Sequence, residues 1–235
     1  MTPALYLIPV TLGETSIEQV LPSYNHEVIM GIRHIIVENI RSARRILRQT
    51  DKAFPIDEST FFEMGKHADE KQFSQYLQPL REGKPMGVIS EAGCPAVADP
   101  GADIVKIAQR EGLRVVPLVG PSSMIMAVMA SGLNGQSFAF NGYLPVEPAD
   151  RAKKLKALES RAWMEGQTQL FIETPYRNQK MFDALLCTLR PQTRLCVAAG
   201  ITTADEHIRT LHISEWKNTK LPDLSKVPAI FLINK

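Results

Sequence analysis

The sequence predicts an α/β protein built from two domains, each with a sheet covered by helices. Through the first half of the chain, short apolar runs typical of buried strands alternate with helical segments. That alternation predicts a mostly parallel sheet, because parallel strands need a crossover connection that is usually a helix. In the second half, the last strand-like runs follow one another without long helices, which predicts a mixed sheet with antiparallel strands.

In the first half, the strands are expected at residues 4–10, 32–37, 85–90 and 113–118. The helices are expected at 24–31, 41–49, 73–82 and 102–111. The last of these strands ends just before Gly120. We place the domain boundary there, with an N-terminal domain at 1–118 and a C-terminal domain at 119–235.

The second half begins with an apolar, methionine-rich segment at 121–131. Pro121 occupies a helix-start position and Gly132 follows the end, so the segment predicts a buried helix. Its methionines suit core packing, and a ligand contact is the alternative. Further strands are expected at 137–143, 169–173, 194–199, 208–213 and 229–234, and helices at 149–163 and 179–189.

Composition limits the function classes. The chain has 235 residues, 44% of them hydrophobic and 22% charged, as in a soluble globular protein. Its net charge of +2 does not identify a nucleic-acid binder, so any basic surface must be local. No signal-peptide pattern or membrane-spanning apolar run is present, so we expect a cytoplasmic protein without membrane contact. Neither disulfides nor a metal is expected from the widely spaced Cys94, Cys187 and Cys196.

Four loops of small residues follow predicted strands, at 9–13, 90–101, 120–123 and 173–177. The loop at 90–101 reads Ser-Glu-Ala-Gly-Cys-Pro-Ala-Val-Ala-Asp-Pro-Gly, and its small side chains would expose backbone groups to a ligand at a strand's carboxyl end. An ordinary strand-to-helix turn has a similar composition. If the loops converge, the ligand lies in a cleft between the domains.

The polar groups of these loops suit a neutral or cationic ligand. No phosphate-binding glycine pattern is present, which argues against a nucleoside triphosphate. Hydroxyls and carboxylates are available from Ser90, Glu91, Ser122, Ser123 and Glu173, although Ser122 and Ser123 equally suit helix capping. Hydrolase and metalloenzyme motifs are absent, and the histidines occur singly: His26, His34, His67, His207 and His212.

Two basic helices are candidates for RNA binding. Arg41, Arg44, Arg45 and Arg48 share one helical face, because their spacing is i, i+3, i+4 and i+7. Arginine forks bind phosphates bidentately, and we add Arg177 of the 173–177 loop to this set. The second cluster comprises Arg151, Lys153, Lys154, Lys156 and Arg161. A solvated helix face is the alternative for either cluster.

These loops and the segments around them carry a family resemblance. The chain resembles the tetrapyrrole methylase superfamily of S-adenosylmethionine-dependent methyltransferases, and within it the branch that 2′-O-methylates a cytidine ribose in 16S ribosomal RNA. The resemblance covers nearly all of the chain, in order, through residues 5–13, 38–47, 90–101, 116–123, 130–133, 140–145 and 171–177.

The resemblance implies two α/β domains with S-adenosylmethionine in the cleft between them, and a homodimer. Mapped by motif, the cofactor-binding positions are Pro9, Ser90, Gly93, Cys94, Val97, Ser122, Ser123, Glu173 and Ala198. Transfer would be an in-line displacement that depends mainly on alignment. A general base would help a ribose hydroxyl attack, and the sequence does not identify one. Glu91 and Glu173 are candidates, with His34 a more distant third.

The chain departs from the ribosomal RNA branch at three places, one of them at residues 38–41, which read Glu-Asn-Ile-Arg where the branch reads Glu-Asp-Thr-Arg or Glu-Asn-Thr-Arg. Residues 9–14 read Pro-Val-Thr-Leu-Gly-Glu where the branch reads Pro-Thr-Pro-Ile-Gly-Asn, and residues 198–203 read Ala-Ala-Gly-Ile-Thr-Thr where it reads Ala-Arg-Glu-Leu-Thr-Lys. Two alternatives therefore stay open beside ribosomal RNA methylation. One is a small-molecule, tetrapyrrole-type methyltransferase, and the other is a non-catalytic RNA-binding member of the same fold.

Overall fold

Two separate sheets organise the chain, one in each half. The computed structural model describes residues 1–65 and 70–235, so His67 lies outside the described residues. The residues cluster into one unit at Met1–Ser122 and another at Ser123–Lys235. The sequence-based boundary after residue 118 lies in the same inter-element loop, which starts after Pro117 and ends where a helix begins at Ser123.

The sheet of the first unit has five parallel strands in the order β3-β2-β4-β1-β5, as the alternating pattern predicts. The strands are β1 (Leu5–Ile8), β2 (His34–Val37), β3 (Thr60–Glu63), β4 (Met86–Ile89) and β5 (Val115–Pro117). The sequence analysis does not predict β3. This edge strand has four residues and none is fully buried, so it lacks the apolar run that marks the other strands.

Helices cover both faces of this sheet. They are α1 (Ile17–Val20), α2 (Ser23–Met30), α3 (Ile40–Thr50), α4 (Glu70–Tyr76), α5 (Gln78–Arg81) and α6 (Gly101–Arg110). Tyr6 and Ile8 of β1 pack in one core with α2 and α3, whereas Leu5 packs in a second core with α4, α5 and α6. The alternation of side chains along β1 therefore separates the two helical layers.

One helix prediction in this unit is wrong. A single helix is expected over 73–82, but the structure has α4 and α5 with Leu77 between them. Pro79 explains the break, because its ring cannot donate a backbone hydrogen bond and clashes with the preceding turn of a continuous helix.

The second unit has a mixed sheet in the order β6-β7-β10-β8-β9. Its strands are β6 (Phe138–Tyr143), β7 (Thr168–Glu173), β8 (Arg194–Ala199), β9 (His207–His212) and β10 (Ala229–Asn234). The β6–β7 pair is parallel and the other pairs are antiparallel, as predicted. The C-terminal strand β10 lies at the centre, and all of its residues are buried.

The helices of the second unit are α7 (Ser123–Ser131), α8 (Pro148–Glu165), α9 (Asn178–Thr188) and α10 (Ile213–Trp216). The prediction that α7 is buried is wrong for one of its faces. Ala127 and Val128 are buried, but Ile125 is 47% and Met129 77% exposed, because a single helix face meets the sheet. Among the described residues, no helix combines the length and the apolar composition that crossing a membrane requires.

Candidate functional site

The strand order of the first unit directs attention to the carboxyl ends of β1 and β4. β1 and β4 are neighbours in the sheet. The chain passes from β1 to β2 on one side of this pair and from β4 to β5 on the other side. Because crossovers between parallel strands are right-handed, connections in opposite directions lie on opposite faces of the sheet. Open α/β sheets bind ligands at such a topological switch point.

The loops after β1 and β4 are hydrogen-bonded to each other. The Val10 N–H donates to the Gly93 carbonyl at 3.0 Å, and Gly93 donates to the Thr11 carbonyl at 3.4 Å. Ser90 Oγ also donates to the Gly93 carbonyl, at 3.0 Å. Gly93 has a φ of +66°, and a Cβ there would lie 2.9 Å from Leu12. The position therefore requires glycine, both for its backbone angle and for the close approach.

The loop after β5 joins the same cluster. A Cβ on Gly120 would lie 2.3 Å from the Pro9 ring, so the backbone of one loop packs directly against the proline ring of the other. Cys94 Sγ donates to the Pro121 carbonyl at 3.4 Å, and burial raises the pKa of the Cys94 thiol. The thiol is therefore held protonated, as a donor that fixes the loop. Three of the four predicted loops thus converge within the first unit.

The rest of the 90–101 loop is shaped by Asp99. Its Oδ1 accepts hydrogen bonds from Ala96 N at 3.0 Å and from Gly101 N at 2.7 Å. Ala96 and Ala98 both adopt positive φ angles, of 64° and 56°, where side chains other than glycine are uncommon. Val97 lies between them and is 50% exposed, so the loop presents its apolar side chain at the surface.

Glu38, which directly follows β2, is a polar residue of this sheet edge that the sequence analysis does not select. Burial, a hydrogen bond with Asp99 and the negative charges of Asp99 and Glu91 raise the pKa of Glu38 to about 7, against a lowering hydrogen bond from the Glu91 backbone. In the sequence, its position in the Glu-Asn-Ile-Arg segment at 38–41 could have indicated it. The proximity of Asp99 depends on tertiary structure, which a sequence does not display.

The basic helix α3 is attached to the same loops. Asn39 caps it by accepting from Arg41 N at 2.9 Å and Ser42 N at 3.1 Å. Ser42 Oγ donates to Glu91 Oε1 at 2.7 Å. The first turn of α3 is therefore bonded to the loop that follows β4.

The predicted arginine face of α3 is exposed along its length, at Arg41, Arg44, Arg45 and Arg48. None of the four forms an ion pair with a carboxylate within residues 1–65 and 70–235. Arg44 lies 5.3 Å from the centre of the Phe61 ring, and Arg48 donates to the Lys52 carbonyl. Arg41 and Arg45 make neither of these contacts.

In the second unit, Glu173 ends β7 with its side chain only 1% exposed. Its Oε1 accepts from Thr174 N at 2.7 Å and from Arg177 Nη2 at 2.7 Å and Nε at 2.9 Å. Its Oε2 is buried without a hydrogen-bond partner among the described residues. Arg177 therefore holds Glu173, and its predicted contact with RNA stays a prediction. Ser123 begins α7, and Ala198 is buried in β8.

The altered segment at 198–203 comprises the last two residues of β8 and the tight turn that follows them. Gly200 has a φ of +57°, and a Cβ there would lie 3.0 Å from Thr203 Oγ1 and 3.1 Å from the Asp205 carbonyl. Thr203 closes the turn, with its N–H and Oγ1 both donating to the Gly200 carbonyl at 2.9 and 2.7 Å. Any side chain at position 200 would therefore be strained by the positive φ.

His34 does not belong to the site. It is the first residue of β2, at the amino end of the strand, whereas the converging loops lie at the carboxyl ends. The prediction that His34 is a possible base is therefore wrong, because the residue lies at the opposite end of the strand from the loops. In the described part of the chain, no group of three or more His, Cys, Asp and Glu side chains is placed to hold a metal.

Comparison with known proteins identifies the family. The model of the Tetrapyrrole (Corrin/Porphyrin) Methylases matches residues 26–216. Two similar relatives are named ribosomal RNA small subunit methyltransferase I. The Vibrio cholerae protein is 29% identical over 91% of this chain and 70% of its own length. The Escherichia coli O157:H7 protein is 28% identical over 90% and 70%.

Solved structures share the fold. The methyltransferase CobJ superposes with a TM-score of 0.64 at 14% identity, over 100% of this chain and 95% of its own. Uroporphyrin-III C-methyltransferase from Thermus thermophilus, complexed with S-adenyl homocysteine, superposes with a TM-score of 0.56 at 16% identity, over 99% and 97%. Because the family model matches most of the chain, the chain belongs to the tetrapyrrole methylase family and is a methyltransferase.

Proposed function

We propose that this methyltransferase uses S-adenosylmethionine to methylate small-subunit ribosomal RNA at a ribose 2′ hydroxyl. The observation that carries the proposal is the Ser42–Glu91 hydrogen bond, at 2.7 Å. It joins the arginine helix α3 to the switch-point loops. A phosphate-binding surface and a ligand-binding edge are thus continuous within one unit. The names of the relatives from Vibrio cholerae and Escherichia coli support ribosomal RNA as the acceptor.

The residues of the converging loops fit S-adenosylmethionine. Gly93 and Gly120 let the three loops pack closely against one another, and the Cys94 thiol stays neutral. In the second unit, Glu173 Oε2 has no hydrogen-bond partner among the described residues and can accept one from an ammonium or hydroxyl group, both of which this cofactor carries. The residues we assign to the cofactor are Pro9, Ser90, Gly93, Cys94, Val97, Ser122, Ser123, Glu173 and Ala198.

When bound, S-adenosylmethionine supplies an electrophilic methyl group on a sulfonium. The chain's residues must align a ribose hydroxyl in line with that methyl and accept the proton that the hydroxyl loses. Glu91 and Glu173 are candidates for the proton acceptor. We add Glu38, because a carboxyl whose pKa is about 7 can both accept and release a proton near neutral pH.

The acceptor RNA binds along α3 through Arg41, Arg44, Arg45 and Arg48, with Arg177 as a further contact from the second unit. The four guanidinium groups of α3 have no carboxylate partner in the described residues and retain their attraction for phosphates, whereas Arg177 is already paired with Glu173. Added salt weakens the attraction between arginine and phosphate. Outside the site, we propose that the protein works in the cytoplasm as a homodimer. Light scattering of the purified chain at micromolar concentration tests the dimer, and a monomer mass would contradict it.

The experiment is a map of ribose methylation in small-subunit ribosomal RNA from cells with and without this chain. We expect one ribose to lose its methyl group in the deletion strain and to regain it with the purified protein and S-adenosylmethionine. Calorimetric titration with S-adenosylhomocysteine checks the cofactor independently. Binding of this product without any change in ribosomal RNA would favour the non-catalytic member or, if a pigment precursor is methylated, the tetrapyrrole-type enzyme.

A further inference from the structure

Asp99 holds the loop at 90–101 in a conformation that its residues do not favour. The Asp99 Oδ1 accepts hydrogen bonds from Ala96 N at 3.0 Å and from Gly101 N at 2.7 Å. The backbone takes positive φ angles at Ala96 and Ala98, which residues with a Cβ rarely adopt. A Cβ on Gly101 would lie 2.7 Å from Asp99 Oδ1, so the carboxylate comes this close only to a glycine. The shape of the loop therefore depends on the position of the Asp99 carboxylate.

Glu38 is hydrogen-bonded to both ends of this loop. It directly follows β2, the strand paired with β4, and it is half-buried. Its side chain is hydrogen-bonded to the Asp99 carboxyl group, near the end of the loop, and accepts a hydrogen bond from the backbone N–H of Glu91, near the start. One carboxyl group therefore bridges the two ends of the 90–101 loop.

The bond between Glu38 and Asp99 needs a proton. Two ionised carboxylates have no hydrogen to share and repel each other, whereas a protonated carboxyl donates its O–H to a neighbouring carboxylate. Burial, the hydrogen bond with Asp99 and the negative charges of Asp99 and Glu91 raise the pKa of Glu38 to about 7. Glu38 therefore carries the shared proton at a pH below 7 and loses it to solvent above 7.

No basic side chain compensates for the loss of this proton. Asp99 and Glu91 act on Glu38 from the loop, and both are acidic. β3, which pairs with β2, ends in Glu63, and the first turn of α3 carries Arg41. Within the described part of the chain, none of these five residues takes part in an ion pair. An ionised Glu38 therefore adds a negative charge beside other carboxylates.

We propose that Glu38 is a positioning residue for the cofactor: its protonated carboxyl group joins the two ends of the 90–101 loop and keeps the loop in the conformation that binds S-adenosylmethionine. Four of the residues that we assign to the cofactor lie on this loop: Ser90, Gly93, Cys94 and Val97. The inference rests on the proposed function, because that function makes this loop a cofactor-binding loop.

The consequence is a cofactor affinity that depends on pH. When Glu38 loses its proton, the bond to Asp99 is lost and the two carboxylates repel each other. Asp99 then moves away from the position in which it accepts from Ala96 N and Gly101 N. The loop loses its shape, and the cofactor binds less tightly.

The test measures the affinity of the full chain for S-adenosylhomocysteine by calorimetry between about pH 6 and about pH 8.5. This product binds without any methyl or proton transfer, so the pH dependence of its affinity does not report a catalytic base. We expect the affinity to fall about tenfold over this range, because one proton on Glu38 is linked to binding. A wild-type affinity that is the same at both ends of the range would overturn the inference.

Two nearly isosteric variants supply the hydrogen that the shared proton provides. In Glu38→Gln, the amide donates an N–H to Asp99 and its oxygen accepts from Glu91 N. In Asp99→Asn, the amide donates an N–H to the ionised Glu38, and its oxygen keeps the two backbone hydrogen bonds of the loop. Each variant should make the affinity independent of pH over this range. A wild-type pH dependence that survives in both variants would also overturn the inference.

Two further variants complete the comparison. Glu38→Ala removes both hydrogen bonds of the bridge and should bind S-adenosylhomocysteine about tenfold more weakly than Glu38→Gln at pH 6. Equal affinities of the alanine and glutamine variants would mean that the bridge does not position the loop. Glu27→Gln, at an exposed position of α2, is the matched control and should keep the wild-type pH dependence.

Failure of the inference is distinguishable from failure of the proposed function. If S-adenosylhomocysteine binds and ribosomal RNA is methylated while the affinity does not depend on pH, the role of Glu38 alone is wrong. If the pH dependence is present and is removed by Glu38→Gln but no ribosomal RNA methylation depends on the chain, the positioning role stands and the proposed acceptor is wrong.

Discussion

At Glu38, the structure predicts an unusual dependence of stability on pH. Its pKa is about 7 in the folded chain, against 4.5 as the ordinary value. The folded chain therefore holds this proton more tightly than the unfolded chain. The resulting stabilisation is complete below about pH 4.5 and is lost as the pH rises through 7. Glu38→Gln keeps the side chain neutral at every pH and removes this loss.

We therefore expect the free energy of unfolding of the wild type to fall, relative to Glu38→Gln, by about 1 kcal/mol between these limits. The full pKa shift would give more, but the carboxyl is partly solvated and its interactions are screened. Urea denaturation across this pH range measures the difference. Glu27→Gln, at an exposed position of α2, is the control and should track the wild type. Parallel pH curves for Glu38→Gln and wild type would refute the prediction.

Gly120 provides a second test at a single position. A methyl group there would lie 2.3 Å from the Pro9 ring, which cannot move aside as a flexible side chain would. We expect Gly120→Ala to destabilise the chain by about 1–3 kcal/mol, the usual cost of overpacking. It should also weaken S-adenosylhomocysteine binding, measured by calorimetry. Gly65→Ala is the control, since nothing lies within 4 Å of its Cβ position. Equal stability of the two variants would contradict the prediction.

Among the elements, α3 carries the RNA-binding prediction. Arg45 is exposed and free of carboxylate partners in the described residues, whereas Arg44 also stacks on Phe61. Arg45→Glu should lower the affinity for ribosomal RNA about tenfold and reduce the slope of log affinity against log salt by about 1. The affinity for S-adenosylhomocysteine should not change.

The control is Arg114→Glu, which makes the same charge change just before the amino end of β5, away from the switch-point loops. Filter binding at several salt concentrations compares the two variants. If both lower the affinity equally, the effect comes from net charge, and α3 is not the specific surface.

The helices and strands also show how much of the fold can be predicted from the sequence. Buried strands such as β1, β4 and β10 are continuous apolar runs, and their positions follow from the pattern. The edge strand β3 and the exposed face of α7 do not follow, because both depend on what packs against them. Likewise the loop at 90–101 is visible in the sequence, whereas the contact between Glu38 and Asp99 arises only when separate strands become neighbours.

At the scale of the whole molecule, the C-terminal strand determines whether the second unit folds. β10 pairs with both β7 and β8 and is buried throughout. Its Phe231 stacks on Phe171 in the core of this unit. The first unit has its own sheet and its own two cores, and none of these contains a residue of β10.

Deletion of residues 229–235 should therefore unfold the second unit and leave the first unit folded. Removing β10 leaves β7 and β8 without their shared partner and exposes the apolar core, at a cost beyond the usual stability of a domain. Hydrogen exchange resolved along the chain measures this: amides of β6 to β9 should lose protection while those of β1, β2 and β4 keep it. Deletion of Lys235 alone, which lies outside β10, should change neither. Loss of protection in both units together would mean that the first sheet depends on the second for its stability.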